Sequence, residues 1–368
     1  MRIALVTEFY YPHLGGVTEH VHHLATEFIR QGHEPIIITS RMSGSSHDSS
    51  FVRRIGTSRV VFSNGSFARI TTGFRLRDSI ASILREERID VLHVHGPLAP
   101  IIGLIAPAAA HRLHIPVVGT FHSWFPRCVG YRLFRAPCQK RLDRFAATIA
   151  VSEPVIEAHA KYFRANWRII PNGVDTEDFH PNGRRSTDAF TRGPRLLFLG
   201  RLDPRNGLDT VLDAMPTIID RFNDARLVIA GDGPLRPWYE QRARSLGNHV
   251  EFLGRVNGER PHIYGSADLY LCPTTKASFG ITLLESMACG TPMIVSDITG
   301  FRELVAGGDE ARLVPRNDSA AWARRTIELI EDPACRDRMA IAGRTKSERF
   351  AWPKVAGEVL DVYREIGA

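Results

Sequence analysis

The chain lacks the features of a membrane-spanning protein, of a disulfide-stapled scaffold and of a nucleic-acid binder. It has no uninterrupted apolar run of about 18 residues or more, so no helix is expected to cross a bilayer. Its five cysteines, Cys128, Cys138, Cys272, Cys289 and Cys335, are odd in number and show no paired short spacing. That argues against a disulfide framework and a zinc site and makes a reducing compartment the default. The opening Arg2-Ile-Ala-Leu-Val-Thr7 reads as a buried strand running into a loop, without the longer apolar region and cleavage site of a secretory signal. There is no internal repeat and no low-complexity segment. Basic residues are scattered among acids with no aromatic-interleaved basic strand, which disfavours nucleic acid as a partner.

What is present describes an ordinary globular chain with a basic surface. Its 368 residues suit two domains, each able to bury a core. A hydrophobic content of 43% with 24% charged residues argues against disorder. The formal charge of +7 favours polyanionic ligands such as nucleoside diphosphates, anionic lipid surfaces or nucleic acid, and by itself does not choose among them.

Short β-branched runs alternate with amphipathic helical stretches. Residues 2–7, 34–39, 91–95, 117–121 and 148–151 read as parallel strands of a first half, and 196–200, 226–230, 250–253, 269–272 and 293–296 as those of a second. The pattern implies α/β architecture with two doubly wound, Rossmann-like sheets facing across a cleft. The polar, Gly/Pro-bearing stretch Pro181 to Pro194 puts the boundary near residue 180. The expected domains are 1–180, 181–350 and a terminal amphipathic segment, 351–368.

The segment Lys276-Ala-Ser-Phe-Gly-Ile-Thr-Leu-Leu-Glu-Ser-Met-Ala-Cys-Gly-Thr-Pro292 holds a loop, a helix start and one isolated acid. Ser278, Phe279 and Gly280 are expected to open an apolar helix closing at Gly290, with first-turn amides turned toward an anionic ligand. Glu285 lies among Leu283, Leu284 and Met287. Either it is a solvated surface Glu, or it is buried and needs a partner, which a ribose diol supplies as two hydroxyl donors.

Three further segments fit a ligand site, each with a plainer structural competitor. Leu14-Gly-Gly-Val17 follows the first strand and precedes a helix, so Gly15 and Gly16 allow backbone to approach a phosphate, although a plain βα turn looks similar. His122 sits just past an apolar strand, where α/β sheets place ligand contacts, yet a lone His among fifteen is more often structural. Arg201 follows the strand ending Phe198-Leu-Gly200; its guanidinium suits phosphate oxygens, the alternative being a surface Arg.

These segments together resemble the retaining glycosyltransferases of GT-B fold, the large family that includes sucrose synthase and bacterial glycogen synthases. In that family the donor signature is Glu, seven residues, Glu. Here Glu285 matches the second position and Ala277 replaces the first, whose carboxylate holds hydroxyls of the transferred sugar. The family's diphosphate-binding Arg corresponds to Arg201, and its Lys to Asn206, which donates a hydrogen bond without neutralising charge on the leaving phosphate. Arg205, one residue earlier, is the candidate substitute. The resemblance assigns His122 and Arg201 to catalysis. It assigns Gly15, Gly16, Arg201, Asn206, Val256, Ser278, Phe279, Gly280, Ile281 and Glu285 to the donor, and it implies a C-terminal helix that returns to the first domain.

Within the family, the likeness is to the phosphatidylinositol mannosyltransferases and covers almost the whole chain. It rests on Asn64-Gly-Ser-Phe-Ala-Arg69, Val91-Leu-His-Val-His-Gly-Pro-Leu-Ala-Pro100, Thr120-Phe-His122, Ile149-Ala-Val-Ser152 and Ile170-Pro-Asn-Gly-Val-Asp175. It implies that Thr18, Asn64, Arg69 and Arg127 face the acceptor, with Thr18 standing where relatives use Gln. Their basic membrane helix survives only as Arg75, Arg77, Arg85 and Arg88 mixed with Asp78, Glu86 and Glu87.

The expectation is a cytoplasmic, inner-face peripheral enzyme that moves mannose from GDP-mannose onto a phosphatidylinositol-type acceptor. No metal or other cofactor is required: Asp203-Pro-Arg and Asp232-Gly-Pro lack the paired carboxylates that hold Mg²⁺ on a diphosphate. A binder that has lost turnover through Ala277 and Asn206, or a sugar-nucleotide 2-epimerase, are the alternatives.

Overall fold

The computed structural model describes residues 1–8, 10–13, 15–42, 49–63, 66–98, 101–181, 193–256, 258–305 and 307–368. They form two compact units, Met1–Asn172 with Trp352–Ala368, and Gly173–Ala351.

The strands of the first unit are β1 Arg2–Thr7, β2 Glu34–Arg41, β3 Val52–Ser63, β4 Ser66–Thr72, β5 Val91–His95, β6 Val117–Phe121, β7 Ala147–Ala150 and β8 Trp167–Ile169. Its helices are α1 Gly16–Arg30, α2 Leu76–Glu86, α3 Ile102–Arg112, α4 Val129–Leu133, α5 Arg135–Leu142 and α6 Glu153–Ala160. The sheet runs β4-β3-β2-β1-β5-β6-β7-β8 and is parallel except for the β3/β4 hairpin. β1 shows why the layers form. Its Ile3 and Leu5 join one apolar cluster with Val21, Leu24 and Phe28 of α1, while Ala4 and Val6 join another with Ile80 and Leu84 of α2. A strand apolar on both faces requires helices on both faces.

The second unit contains β9 Arg195–Leu199, β10 Arg226–Ala230, β11 Val250–Gly254, β12 Leu269–Cys272, β13 Met293–Ser296 and β14 Ala311–Val314. Its helices are α7 Leu208–Arg221, α8 Arg236–Ala243, α9 Arg260–Gly265, α10 Ile281–Ala288, α11 Thr299–Arg302, α12 Ser319–Glu331 and α13 Pro333–Ser347. The sheet order is β11-β10-β9-β12-β13-β14, all parallel. Again one strand serves two cores: Leu196 and Phe198 of β9 pack with Met215 and Trp322, and Leu197 packs with Leu283 and Met287.

The last helix, α14 Trp352–Glu365, belongs to the first unit, where Val355, Val359 and Tyr363 share the core of α1. The passage between units falls at Asn172/Gly173, upstream of the position near residue 180 expected from composition. The reason is local: the Val174 amide donates to Phe350 O at 2.8 Å, and Phe179 is buried in a second-unit core, so residues 173–181 are committed to that unit. Most of the polar stretch from Pro181 to Pro194 lies outside the described residues. No described helix is long and apolar enough to cross a membrane.

Candidate functional site

In each sheet the chain reverses its direction of strand addition at one place, between β1 and β5 in the first unit and between β9 and β12 in the second. Loops leaving the carboxyl ends of strands diverge there, which is where open α/β sheets bind ligands. The residues expected from the sequence fall largely at these two points.

In the second unit the loop after β9, Gly200 to Gly207, and the loop after β12, Pro273 to Gly280, are tied together. The Thr275 amide and hydroxyl both donate to Arg205 O, at 2.8 and 3.0 Å. Gly207 has φ +72°, and a Cβ there would stand 2.2 Å from Pro273 O, so only glycine permits this approach. Gly231 (φ +143°) packs the end of β10 equally tightly on Gly200 O. On this clamped loop Arg201 and Arg205 are exposed and flank Asp203, at 3.8 and 4.0 Å from its carboxylate. Asn206 turns inward instead: its Nδ2 donates to Arg201 O at 2.7 Å and fixes the loop.

α10 starts at Ile281 with Gly280 as its cap, not at Ser278. The first-turn amides are therefore those of Ile281 and Thr282; Ser278 and Phe279 belong to the preceding loop, with the Phe279 ring 6.3 Å from that of Phe350. Val256 is half-buried at the edge of the same core. Glu285 is buried, as the second of its two sequence readings required, and its compensation comes from the protein itself. Arg260 Nη1 donates to Oε1 at 2.6 Å and the Tyr264 hydroxyl to Oε2 at 3.1 Å. The sequence argument missed Arg260, because no spacing rule links α9 to α10. The negative carboxylate also pushes up the Tyr264 hydroxyl, whose burial is the larger cause, and the Cys289 thiol, which burial and then Glu285 raise to about 12.

In the first unit, Gly15 caps α1 and Gly16 opens it. A Cβ at Gly15 would meet, among the described residues, only His13 Nε2, at 3.9 Å, so their packing does not demand glycine there. His122 lies just beyond β6 and is brought against His95, from the end of β5, and His20, from α1. His95 Nδ1 and His122 Nε2 are 3.1 Å apart, and the His20 and His122 rings meet edge-on at 4.8 Å. His20 Nδ1 is held by Asn172 Oδ1 at 2.9 Å, which accounts for the buried Asn of the Pro-Asn-Gly segment. Beneath, His93 bonds the Tyr363 and Thr120 hydroxyls, both at 2.6 Å.

Burial depresses all four histidines, with mutual repulsion adding to it. His20 falls to about 4 and His93 to about 3, and His95 and His122 lie well below the usual range, so the group is neutral at neutral pH. His20, His95 and His122 offer donor atoms within 4.8 Å of one another, and His95 Nε2 is buried without a partner among the described residues. Such neutral imidazoles can accept hydrogen bonds from hydroxyls or hold a borderline cation. Sequence reasoning found His122 alone. The His-x-His at the end of β5 was the available signal for His95, but nothing short of the fold connects it to His20.

Of the acceptor residues, Thr18 does not fit its expected role. It is fully buried and its hydroxyl donates to His13 O at 2.8 Å, so it shapes the turn before α1 and presents nothing to an acceptor. Arg69 is on β4, in a hairpin that continues past the end of β2, where Arg41 pairs with Thr57. Arg127 is exposed in the loop after β6. Both therefore lie at the carboxyl edge of the first sheet. Asn64 lies outside the described residues. A cavity of about 540 Å³ is lined by α3, the start of β6 and the terminal Ile366-Gly367, and among the described residues none of the expected site residues borders it.

Comparison with known proteins agrees with this layout. The family described as Glycosyltransferase Family 4 matches residues 14–178, and that described as Glycosyl transferases group 1 matches residues 180–346. The chain is 32% identical to the phosphatidyl-myo-inositol mannosyltransferase of Mycobacterium tuberculosis, over 100% of this chain and 97% of that one. It is 31% identical to the GDP-mannose-dependent alpha-(1-6)-phosphatidylinositol dimannoside mannosyltransferase of the same species, covering 98% of this chain and 95% of that one. Among solved structures, Anabaena HepE in complex with UDP superposes with a TM-score of 0.79 at 18% identity, covering 99% of this chain and 100% of that one, which supports the fold. The fold is GT-B, and the chain belongs to the glycosyltransferase family in which a family 4 domain precedes a group 1 domain.

Proposed function

We propose that the chain is a retaining glycosyltransferase that moves mannose from GDP-mannose to a hydroxyl of a phosphatidylinositol-type head group, working peripherally at the cytoplasmic face of a membrane. The names of the full-length relatives support the donor and the acceptor. The observation that carries the reading is the pair of tied loops at the switch point of the second sheet, one bearing Arg201 and Arg205 and the other leading into α10. Two guanidiniums on a tied loop and a helix N-terminus suit a diphosphate and stabilise it as it leaves.

In the reaction the bond between the sugar C1 and the phosphate oxygen breaks, and the acceptor oxygen bonds to C1 from the same face. The acceptor's proton passes to the departing phosphate. Arg201 and Arg205 balance the charge that grows on that phosphate, so no metal ion is needed in this scheme. His122, held through one ring nitrogen by His95, offers the other to a sugar hydroxyl. Glu285, fixed by Arg260 and Tyr264, reads the ribose, and Arg69 and Arg127 hold the acceptor phosphodiester.

A second reading, a nucleotide-sugar binder with little turnover, is favoured by one observation: the Asn206 amide is spent on Arg201 O. Nucleoside diphosphate release from a panel of nucleotide sugars, with and without phosphatidylinositol, separates the two. The transferase releases GDP from GDP-mannose faster when acceptor is added, and Arg201→Ala slows it about 100-fold. Binding of GDP-mannose without any release would establish the binder.

A further inference from the structure

We propose that the α4–α5 segment is the surface by which this protein docks on an anionic membrane, and that α2 is not; this rests on the peripheral reading above. Between Trp124 and Leu142 the chain carries Arg127, Arg132, Arg135, Lys140 and Arg141 and no Asp or Glu. Interleaved with them are three apolar side chains turned to solvent, Val129 at 67%, Leu133 at 72% and Phe134 at 61% exposure. Exposed apolar groups are common singly, but three within six residues, ringed by like charges, form a patch that calls for an occupant.

The outward direction of these groups is fixed by what the segment spends on its inner face. Tyr131 sits in an aromatic group, 5.6 Å from Phe125 and 5.0 Å from Phe163, and Cys138 and Leu142 are buried. The Cys128 amide donates to the Tyr162 hydroxyl and Arg135 Nε to Tyr162 O, each at 2.8 Å. The Gln139 amide group brackets Arg164, donating to its carbonyl at 2.8 Å and accepting from its amide at 2.9 Å. So held, α4 and α5 cannot roll to hide Leu133 and Phe134.

Charge decides the occupant. Cations without intervening acids, around aliphatic and aromatic groups that can enter the headgroup boundary, match a bilayer bearing anionic phosphodiesters. α2 has cations of its own but intersperses them with acids: Arg75 Nε bonds Asp78 at 2.9 Å, and Glu86 and Glu87 stand between Arg85 and Arg88 in the sequence. Arg127, proposed above to hold the acceptor phosphodiester, begins the same segment, so the docking surface and the proposed head-group site are continuous in the chain.

Flotation of the full chain with vesicles tests this, using neutral phosphatidylcholine and the same lipid containing phosphatidylglycerol. The parent is expected to float with the anionic vesicles and to be released by salt. Leu133→Ser/Phe134→Ser should bind at least about tenfold more weakly. Arg132→Gln/Lys140→Gln should bind about twentyfold more weakly. Phe74→Ser, at the start of α2, should change little. An unaltered Tm and unaltered GDP binding in the variants show that the fold is kept. If the parent floats and the Leu133/Phe134 and Arg132/Lys140 variants float equally well, this surface assignment is overturned while the membrane reading stands. If the parent binds no vesicle, both fall. An oligomer of the parent that Leu133→Ser/Phe134→Ser splits would show that a second copy covers the patch, and that also overturns the proposal.

Discussion

Asn206 occupies the place of a phosphate-facing Lys in the resembling family, and the structure gives it a job of its own, the 2.7 Å bond to Arg201 O. Asn206→Lys should therefore have two measurable effects. Turnover with saturating donor should rise by about two orders of magnitude, the usual worth of one charge aimed at a leaving oxyanion. Stability should drop by about 1 kcal/mol from the lost loop tie, read by denaturant unfolding. A rise in neither kcat nor kcat/KM would mean that Arg201 and Arg205 together already neutralise the leaving phosphate in full. Ala277→Glu acts on the sugar instead, and should widen the kcat/KM ratio between GDP-mannose and an epimeric donor rather than raise kcat.

Glu285→Ala leaves the Arg260 guanidinium beside a void. We expect a loss of about 3 kcal/mol in unfolding free energy, beyond any loss of guanosine affinity. A variant as stable as the parent would contradict the ion pair. Single residues such as Arg201 and Glu285 were legible because they sit at fixed offsets from a strand end or a helix start. Arg260, the partner of Glu285, and Thr275, the partner of Arg205, were not, since those contacts exist only once separate elements meet.

At the scale of elements, the long apolar strands announced themselves, and the strands missed were those without a two-sided apolar pattern. β3, β4, the three-residue β8 and the Arg-bearing β14 lie at or beside the margins of their sheets, where one face or edge meets solvent and polar residues are tolerated. The histidine cluster is a product of the same topology, since β1, β5 and β6 are neighbours only in the folded sheet.

The cluster makes a pH prediction. The four histidines titrate lower in the folded chain than in the unfolded one, so their contribution is complete above about pH 6.5 and is lost as pH falls below it, down to about 4 for His20 and about 3 for His93, by up to about 1.4 kcal/mol per pH unit for each group. Glu8 runs the other way. It is buried past the end of β1, accepts from the Ile102 amide at 2.6 Å and from the Thr71 hydroxyl, and burial lifts it to about 7. Its contribution is complete below about 4.5 and is lost as pH rises through 7. Thermal unfolding across pH 4 to 8 should show Tm falling on acidification. Glu8→Gln should steepen that fall and raise stability at pH 8 by on the order of 2 kcal/mol. A Tm that rose steadily toward pH 4 would reverse the assignment.

For the whole molecule, two doubly wound units were legible from the alternation of strand and helix, because a strand apolar on both faces permits few other solutions. The exact passage between them was not, since Gly173 to Pro181 carries no composition shift and is claimed by the second unit through the Val174 bond to Phe350 O and the burial of Phe179. The return of α14 to the first unit is sealed by Tyr363 on His93 at 2.6 Å and by the His23 ring stacked on Trp352 at 5.4 Å. Truncation before Trp352 should therefore unfold the first unit, which would otherwise expose its Val355, Val359 and Tyr363 contacts.

The central claim is transfer with retention from GDP-mannose, and the most direct measurement is proton NMR of the product formed from GDP-mannose and a soluble short-chain phosphatidylinositol. The account predicts a mannosyl-inositol product whose anomeric centre keeps the α configuration of the donor, formed without added metal, and lost in Arg201→Ala. A β-linked product, or intact GDP-mannose after incubation with the parent, would contradict it.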